Sequence, residues 1–459
     1  MARSVTILGA GLVGSLLSII LKKKGYNVTI YERRPDMRSA SVAAGRSINL
    51  AMSARGWKAL ELAGLREDIE ALAIPMYGRY LHQSDGTAAS QQYGKNNEAI
   101  YSVSRGELNK KLMTLAESEG VKIVFEHRCN RVDVKTNTVH LQTPEGSETI
   151  VEADLLFGAD GAFSALRSSY ATMDRVNSSQ YYLEHGYKEL SIPPNVDGSL
   201  KMEKTALHIW PRKNFMLIAL PNTDGTFTCT LFLPFEGEAS FAALKTEQDV
   251  KAFFNAHFPD AVPMMPTLVE DFFNNPTSSL ITTHIHPWHY NDKSALIGDA
   301  AHAIVPFYGQ GMNAGFEDCS VLASLINEYG EDWNAILNAY DRKRKPNGDA
   351  VAELALLNFV EMRDKVADPV FLERKKIEKE LGKLYPDQFI SVYEMVSFSH
   401  IPYNTALGCI QAQDRLLTTI MKEGNFFDQK GRNGFDAKLD EWINDYHKSV
   451  QQLNLDNEG

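Results

Sequence analysis

Val5-Thr6-Ile7-Leu8 is a continuous apolar run, short enough to be a central strand of a parallel sheet. Gly9-Ala10-Gly11-Leu12-Val13-Gly14 follows, then an apolar helical stretch that runs to Lys24 and stops at Gly25. Asn27-Val28-Thr29-Ile30-Tyr31 reads as a second strand, so residues 5–31 predict a βαβ unit. Ser104-Arg105-Gly106-Glu107 has capping-box spacing ahead of a helix carrying Leu108, Leu112 and Leu115. From Leu207 to Phe235 the pattern turns aromatic and β-branched, broken by Asn222-Thr223-Asp224-Gly225, which predicts a hairpin in an antiparallel sheet. The α/β rhythm returns at Ser294-Ala295-Leu296-Ile297-Gly298, and a helix is predicted from Asn313 to Tyr329, closed by Gly330. Beyond Trp333 strand signals vanish and helical ones remain. The chain has no internal repeats, and its polar last residues, 451–459, are expected to fray.

Composition narrows this picture by exclusion. A chain of 459 residues has room for two or three domain-sized units around a large core. The net charge of −11, with no basic block to offset it, argues against a nucleic-acid partner. Apolar stretches such as Phe215 to Leu220 fall far short of a membrane span, and Met1-Ala2-Arg3-Ser4 leads straight into the first strand, so no signal peptide is expected. Cys129, Cys229, Cys319 and Cys409 are scattered without a C-x-x-C pair, which fits a reduced, cytoplasmic protein.

The loop between the first strand and helix has a mechanism. Gly9 allows a tight turn, Gly11 lets a pyrophosphate approach the backbone, and Gly14 lets helix and strand pack closely. The helix N-terminus offers free N–H groups and positive dipole to the phosphates. Glu32 ends the second strand, 18 residues after Gly14, where a carboxylate accepts hydrogen bonds from both ribose hydroxyls and repels a 2′-phosphate. The dinucleotide is therefore FAD or NAD rather than NADP. Two later motifs bear on that choice. Asp160-Gly161 ends a buried strand, with Ser164 and Arg167 following; alone it is only a turn. Gly298-Asp299-Ala300-Ala301-His302 places a carboxylate at the end of another strand, where cofactors bind in α/β folds. Gly309 and Gly311 then open a helix whose free N–H groups could face the charge that develops on a reduced flavin. A plain NAD dehydrogenase is disfavoured, because it has no use for Gly298-Asp299 or for the Gly309-x-Gly311 helix start.

With these motifs in place the chain resembles the single-component (class A) flavoprotein aromatic hydroxylases. Finer segments are similar to the branch that acts on the free amino acid L-kynurenine: 76–79, 100–105, 207–212, 227–232, 306–313, 358–363 and 393–396. The likeness extends from residue 5 to about 405. It implies an α/β, Rossmann-like FAD-binding fold with an antiparallel-sheet substrate domain and a helical C-terminal region. Residues 1–75, 98–178 and 280–330 would form the FAD-binding domain, 76–97 and 179–279 the substrate domain, and 331–459 the helices that complete the pocket. Asp299 would hold the ribityl chain of non-covalent FAD, with Gly298, Gly311, Met312 and Asn313 beside it. Arg33 and Arg105 would lie near the cofactor, and Asp160-Gly161 would serve both FAD and NADPH, for which no separate glycine fingerprint exists. Arg79, Tyr93 and Tyr393 would bind the substrate α-carboxylate, with Asn358, Glu361 and Met362 beside them. Met216, Ile218, Thr230 and Phe232 would line the aromatic end, and Pro306, Phe307, Tyr308 and Gln310 the space over the flavin. No side chain is expected to act as acid or base: O2 activated at C4a of the NADPH-reduced flavin would hydroxylate the ring ortho to its amino group. Tyr308 stands where some members carry His, and the C-terminal hydrophobic anchor of eukaryotic members has no counterpart here. The expected protein is soluble, a monomer or weak homodimer.

Plainer readings compete. Outside the resemblance, Arg79 is a surface Arg, Tyr93 a packing residue, and Asn358 with Glu361 a polar helical stripe. His284-x-His286-x-x-His289 invites a metal, but Pro287 interrupts it and no carboxylate or Cys cluster supports it, so none is expected. His302 is read as support for the loop beneath the flavin. A related hydroxylase for another aromatic substrate, or a flavin-binding interaction protein without turnover, are the rival functions.

Overall fold

The computed structural model describes residues 3–39, 48–94, 97–362 and 368–458. The predicted βαβ unit forms as β1 (Ser4–Leu8), α1 (Leu12–Lys23) and β2 (Asn27–Tyr31). These strands lie inside a six-stranded sheet ordered His289–Tyr290, Ser294–Leu296, Leu155–Gly158, β1, β2, Lys122–Val124. All its pairings are parallel except that of the short His289–Tyr290 strand. Val5, Ile7, Leu8 and Leu155 to Phe157 are buried, as the continuous apolar runs require when both faces of a parallel sheet are covered. The strands share one direction, so Gly9, Glu32, Asp160 and Asp299 all arrive just beyond the same, C-terminal edge.

The second sheet has seven strands, ordered Ser278–His286, Asn177–Ile192, Phe227–Pro234, Phe215–Pro221, Ala206–Arg212, Gly78–His82, Ala88–Gln92. The predicted hairpin is its centre, with Met216 opposite Phe232 and Ile218 opposite Thr230. Period-2 alternation gives this sheet two different faces. Phe215, Leu217, Ala219, Phe227, Cys229, Leu231 and Leu233 pack beneath the helices Glu247–His257 and Leu268–Asn274. Met216 and Phe232 face the other way, against Phe307, Phe359 and Met362.

The C-terminal part is helical as predicted: Trp333–Val360, Pro369–Leu384, Val392–Ser397, Tyr403–Glu423 and Asn433–Glu458 among the described residues. Three local expectations are corrected. The tail expected to fray continues as helix to Glu458. The helix Gly311–Tyr329 starts two residues before the predicted Asn313. The Ser104 cap is one-sided: its Oγ accepts from the Glu107 N–H at 3.4 Å, while the Glu107 carboxylate pairs with Lys110 at 2.9 Å instead of reaching back.

A buried ionic network joins these parts. Asp318, on helix Gly311–Tyr329, accepts from the Gly298 N–H at 3.0 Å and lies 2.6 Å from His302 Nε2. Its other oxygen accepts from Arg344 Nε at 2.6 Å, and Arg344 also pairs with Glu317 at 2.6 Å. Glu317 in turn pairs with the fully buried Arg55 of helix Ala54–Leu62. Burial alone would raise the Asp318 carboxyl, but His302 and Arg344 outweigh it and hold it below its ordinary range.

Two outcomes follow. A Cβ added at Gly14 would lie 2.0 Å from the Gly9 carbonyl oxygen, a backbone atom that cannot step aside. Gly14→Ala should therefore destabilise by about 1–3 kcal/mol, read as a lower urea midpoint at unchanged slope. Asp318→Asn should lower stability by about 3–5 kcal/mol at neutral pH, because Arg344 loses its buried counter-charge and His302 its acceptor. The folded pKa of Asp318 is depressed, so its contribution is complete above the unfolded value of roughly 4 and is lost as pH falls through the folded one. Parent and variant melts should differ fully at pH 7 and converge in acid; a gap independent of pH would place the stabilisation elsewhere.

Candidate functional site

A cavity of about 890 Å³ runs from the glycine loop of the parallel sheet to the inner face of the seven-stranded sheet. Gly9, Gly11, Glu32, Arg33, Arg105, Asp160 and Gly161 line one end. Asp299, Pro306, Gly311 and Met312 line the middle, and Phe307, Tyr308, Arg79, Tyr93, Asn358, Met362, Tyr393, Met216, Ile218, Thr230 and Phe232 the other end. Residues 384 positions apart in the chain, Gly9 and Tyr393, thus share one space.

Five predicted site residues stand behind this lining. Gly14 packs α1 against the Gly9 turn. Gly298, with φ of +60°, turns its N–H to Asp318. Asn313 accepts from the Ser53 N–H at 2.8 Å and donates to the Ala51 and Gly309 carbonyls at 2.8 and 2.9 Å, fixing the loop instead of facing a ligand. Gln310, expected over the flavin, is buried with its Oε1 on the Tyr403 hydroxyl at 2.9 Å. Glu361 lies near Arg79 but points toward Lys375, 3.7 Å away. Arg363, the last residue of one matched segment, lies outside the described residues.

The glycine-loop end fits a dinucleotide. Gly11 caps α1 with no side-chain hydrogen bond, so N–H groups of the first turn are free, and a Cβ on Gly11 would meet nothing within 4 Å. Asp160 Oδ2 accepts from the Ala165 N–H at 2.7 Å, while its buried Oδ1 has no partner in the protein. Burial pushes this carboxyl upward, as it would for a group whose polar partner is a ligand. Glu32 differs from the sequence expectation of a free acceptor. Its carboxylate accepts from the Ala10 N–H at 2.8 Å and from Arg34 N and Nε at 2.9 and 2.8 Å. Burial would raise it, but Arg34 and the Ala10 N–H hold it lowered and ionised. The Arg34 side chain that pairs with these oxygens is 55% exposed. Arg34 has no sequence signal beyond its place two residues after Glu32.

At the opposite end Arg79 sits in an aromatic frame. Its guanidinium carbon is 5.6 Å from the Tyr93 ring centre and 5.0 Å from that of Tyr393. Tyr93 and Tyr393 stack at 5.5 Å, and Tyr308 stacks on Tyr393 at 5.7 Å. Arg79 and the Tyr93 hydroxyl are close enough to interact, yet neither Arg79 Nε nor Tyr93 OH makes a well-formed hydrogen bond within the protein. Asn358 donates its N–H2 to the Phe307 carbonyl at 2.7 Å, which leaves its oxygen toward the cavity. Between these polar groups and the sheet the walls are Met216, Ile218, Phe232 and Phe307, with the Thr230 hydroxyl among them.

The histidine motif is dispersed. His284 lies 3.0 Å from Asp349, His286 3.6 Å from Asp341, and His289 3.0 Å from the Asn291 carbonyl. His302 stacks on Trp288 at 5.0 Å and ties its loop to Asp318. Among the described residues no helix is long and apolar enough to cross a membrane, and all four cysteines are free.

Comparison with known proteins agrees with this geometry. The family described as FAD binding domain matches residues 2–355. A kynurenine 3-monooxygenase of Christiangramia forsetii is 51% identical, over 92% of this chain and 94% of its own. Those of Myxococcus xanthus and Dictyostelium discoideum are 50% and 46% identical, over 88% and 92% of this chain and 87% and 93% of theirs. Among solved structures, the tetrameric form of 2-methyl-3-hydroxypyridine-5-carboxylic acid oxygenase superposes with a TM-score of 0.65 at 22% identity, covering 81% of this chain and 95% of its own. A tetracycline destructase superposes with a TM-score of 0.60 at 17% identity, covering 87% and 99%. The solved structures share the fold, the curated relatives align over most of the chain at about half identity, and the chain belongs to the kynurenine 3-monooxygenase family of FAD-binding flavoproteins.

Proposed function

We propose that this chain is a monooxygenase that hydroxylates L-kynurenine to 3-hydroxy-L-kynurenine, with FAD as cofactor and NADPH and O2 as co-substrates. One observation carries the substrate: a half-buried Arg79, its buried Nε unfilled, framed by tyrosines at the far end of a cavity that begins as a dinucleotide cradle. Such a group suits a carboxylate, which Arg meets with two parallel N–H donors. Arg79 and the Tyr93 and Tyr393 hydroxyls bind the α-carboxylate. Asn358 has its donors on the Phe307 carbonyl and the Met362 sulfur, so its oxygen accepts from the α-ammonium group. Glu361 adds negative charge behind Arg79. The aryl ring lies among Met216, Ile218, Thr230 and Phe232, under the turn Pro306–Tyr308.

Free N–H groups at Gly11 hold the FAD pyrophosphate, Glu32 the adenosine ribose once Arg34 has moved, and Asp299 the ribityl chain, with Arg33 and Arg105 at the rim. Asp160-Gly161 serves FAD and NADPH together. Bound FAD, reduced by NADPH, supplies the oxygen-activating chemistry. The residues of the chain orient the ring and keep it dry. An arylamine ring is electron-rich already, so placement of the carbon ortho to the amino group matters more than a protein base. Apolar walls limit water, which would drain reducing power to hydrogen peroxide. The protein acts in the cytoplasm as a monomer or weak homodimer.

A panel of aromatic amino acids and phenols, scored for NADPH loss and for hydroxylated product, tests the reading. Kynurenine should give both, and a phenol handled better than kynurenine would sink it. Arg79→Ala should weaken kynurenine binding roughly a hundredfold to a few thousandfold, about 3–5 kcal/mol, at unchanged FAD content. Tyr393→Phe should weaken it by about 1–3 kcal/mol and raise peroxide yield. Glu32→Ala should lower FAD retention, since hydrogen bonds to a charged acceptor contribute ~1.5–3 kcal/mol; retention equal to the parent would remove Glu32 from the ribose site.

A further inference from the structure

Tyr403 opens helix Tyr403–Glu423 and is fully buried. Its hydroxyl donates to Gln310 Oε1 at 2.9 Å. Gln310 is the N-cap residue of helix Gly311–Tyr329 and follows Gly309, whose φ of +68° ends the turn Pro306–Tyr308 that lines the cavity. The same Oε1 accepts a longer bond from Ser53 Oγ, 3.3 Å, and Gln310 Nε2 lies 3.5 Å from the Tyr308 carbonyl. The shortest contact of this buried amide is therefore the one from Tyr403.

The ring of Tyr403 carries a second connection. The Arg55 guanidinium lies 4.0 Å from its centre. Arg55 also donates to the carbonyls of Met395 and Val396 at 3.3 and 3.4 Å, and to that of Ile401. Met395 and Val396 lie on helix Val392–Ser397, which brings Tyr393 into the cavity. The wall that carries Tyr393 and the turn that carries Phe307 and Tyr308 are thus fastened to one pair of side chains outside the cavity.

We propose that Tyr403 is a positioning residue for hydroxylation: through Gln310 its hydroxyl sets the turn Pro306–Gly309, and through Arg55 its ring holds that turn in register with the helix that bears Tyr393. The inference deepens the reading of an aromatic hydroxylase and rests on it for its catalytic consequence. The anchoring itself is a property of the protein alone. Without the hydroxyl, Gln310 keeps only its longer contacts, so the turn loosens while Arg79 and Tyr393, which hold the amino-acid end, stay where they are. Binding and productive placement should therefore separate. A residue that served only to fill the core would not divide them.

Tyr403→Phe keeps the ring on Arg55 and removes one hydroxyl. FAD content should match the parent, and kynurenine affinity should fall no more than about threefold, since Arg79 and Tyr393 are unaltered and the turn reaches the amino-acid end only through Tyr308 and the Phe307 carbonyl. The ratio of peroxide to hydroxylated product should rise about tenfold, the worth of one buried hydrogen bond. In protein without cofactor, hydrogen exchange of residues 306–313 should accelerate by a similar factor of about ten while that of residues 333–350 stays unchanged. Gln310→Met should do at least as much, since it also removes the contacts to Ser53 and Tyr308, and the double variant should be no worse than Gln310→Met alone, because the Tyr403 bond is already gone there. If the parent makes no hydroxylated kynurenine, the functional reading falls, and the exchange pattern decides the anchoring by itself. Parental exchange at residues 306–313 in Tyr403→Phe, or faster exchange spread evenly over the C-terminal helices, overturns the proposal.

Discussion

Asp318 is sealed from water, so every donor its carboxylate needs must come from the protein. The Gly298 N–H, His302 and Arg344 supply them, from a strand end, the loop after it and a helix that begins at Trp333. Each is thereby fixed relative to helix Gly311–Tyr329. That constraint tethers the segment carrying Asp299 at a place where the backbone itself is irregular, with Gly298 at a φ of +60°. It also explains why the C-terminal helices belong to the core. Arg344 and Glu317 pass the same network to Arg55, and Arg55 reaches the carbonyls of Met395, Val396 and Ile401. Removing any one charge would leave its partners buried and unmatched, which is more damaging than never having had them.

The family match covers both sheets that border the cavity but only part of the C-terminal helical region. The FAD binding domain match ends at residue 355, just before Asn358, and Tyr393 lies further on still. Solved structures of enzymes named for other substrates share the fold at about 20% identity, whereas the curated relatives match over nearly the whole chain. Specificity in this fold is a matter of which side chains the sheet and the helices present to a common cavity.

Much of the scaffold was legible in the sequence because its signals are local. The strand–glycine loop–strand unit falls where expected because a continuous apolar run, a glycine turn and a helix stop each act within a few residues. Met216, Ile218, Thr230 and Phe232 share a face because alternation fixes the side on which each lies once the hairpin is recognised. What escaped depends on distant partners. Nothing near Gln310 announces that Tyr403, 93 positions later, will take its oxygen, so a residue expected to face the flavin lies behind the wall. Nothing near Asp318 announces Arg344. The tail looked polar enough to fray, yet Phe435, Leu439, Ile443 and Tyr446 form a buried stripe at helical spacing that draws its whole helix onto the bundle.

The pairing of Glu32 with Arg34 bears on how the protein folds. A carboxylate this deeply buried would be a serious obstacle to folding if its only partners arrived with a ligand. Here Ala10 and Arg34 satisfy it beforehand, and Arg34 does so from the solvent side. The acidic side chain of the glycine-loop end is therefore matched within the protein, so closing the loop against the end of β2 leaves no buried charge unpaired.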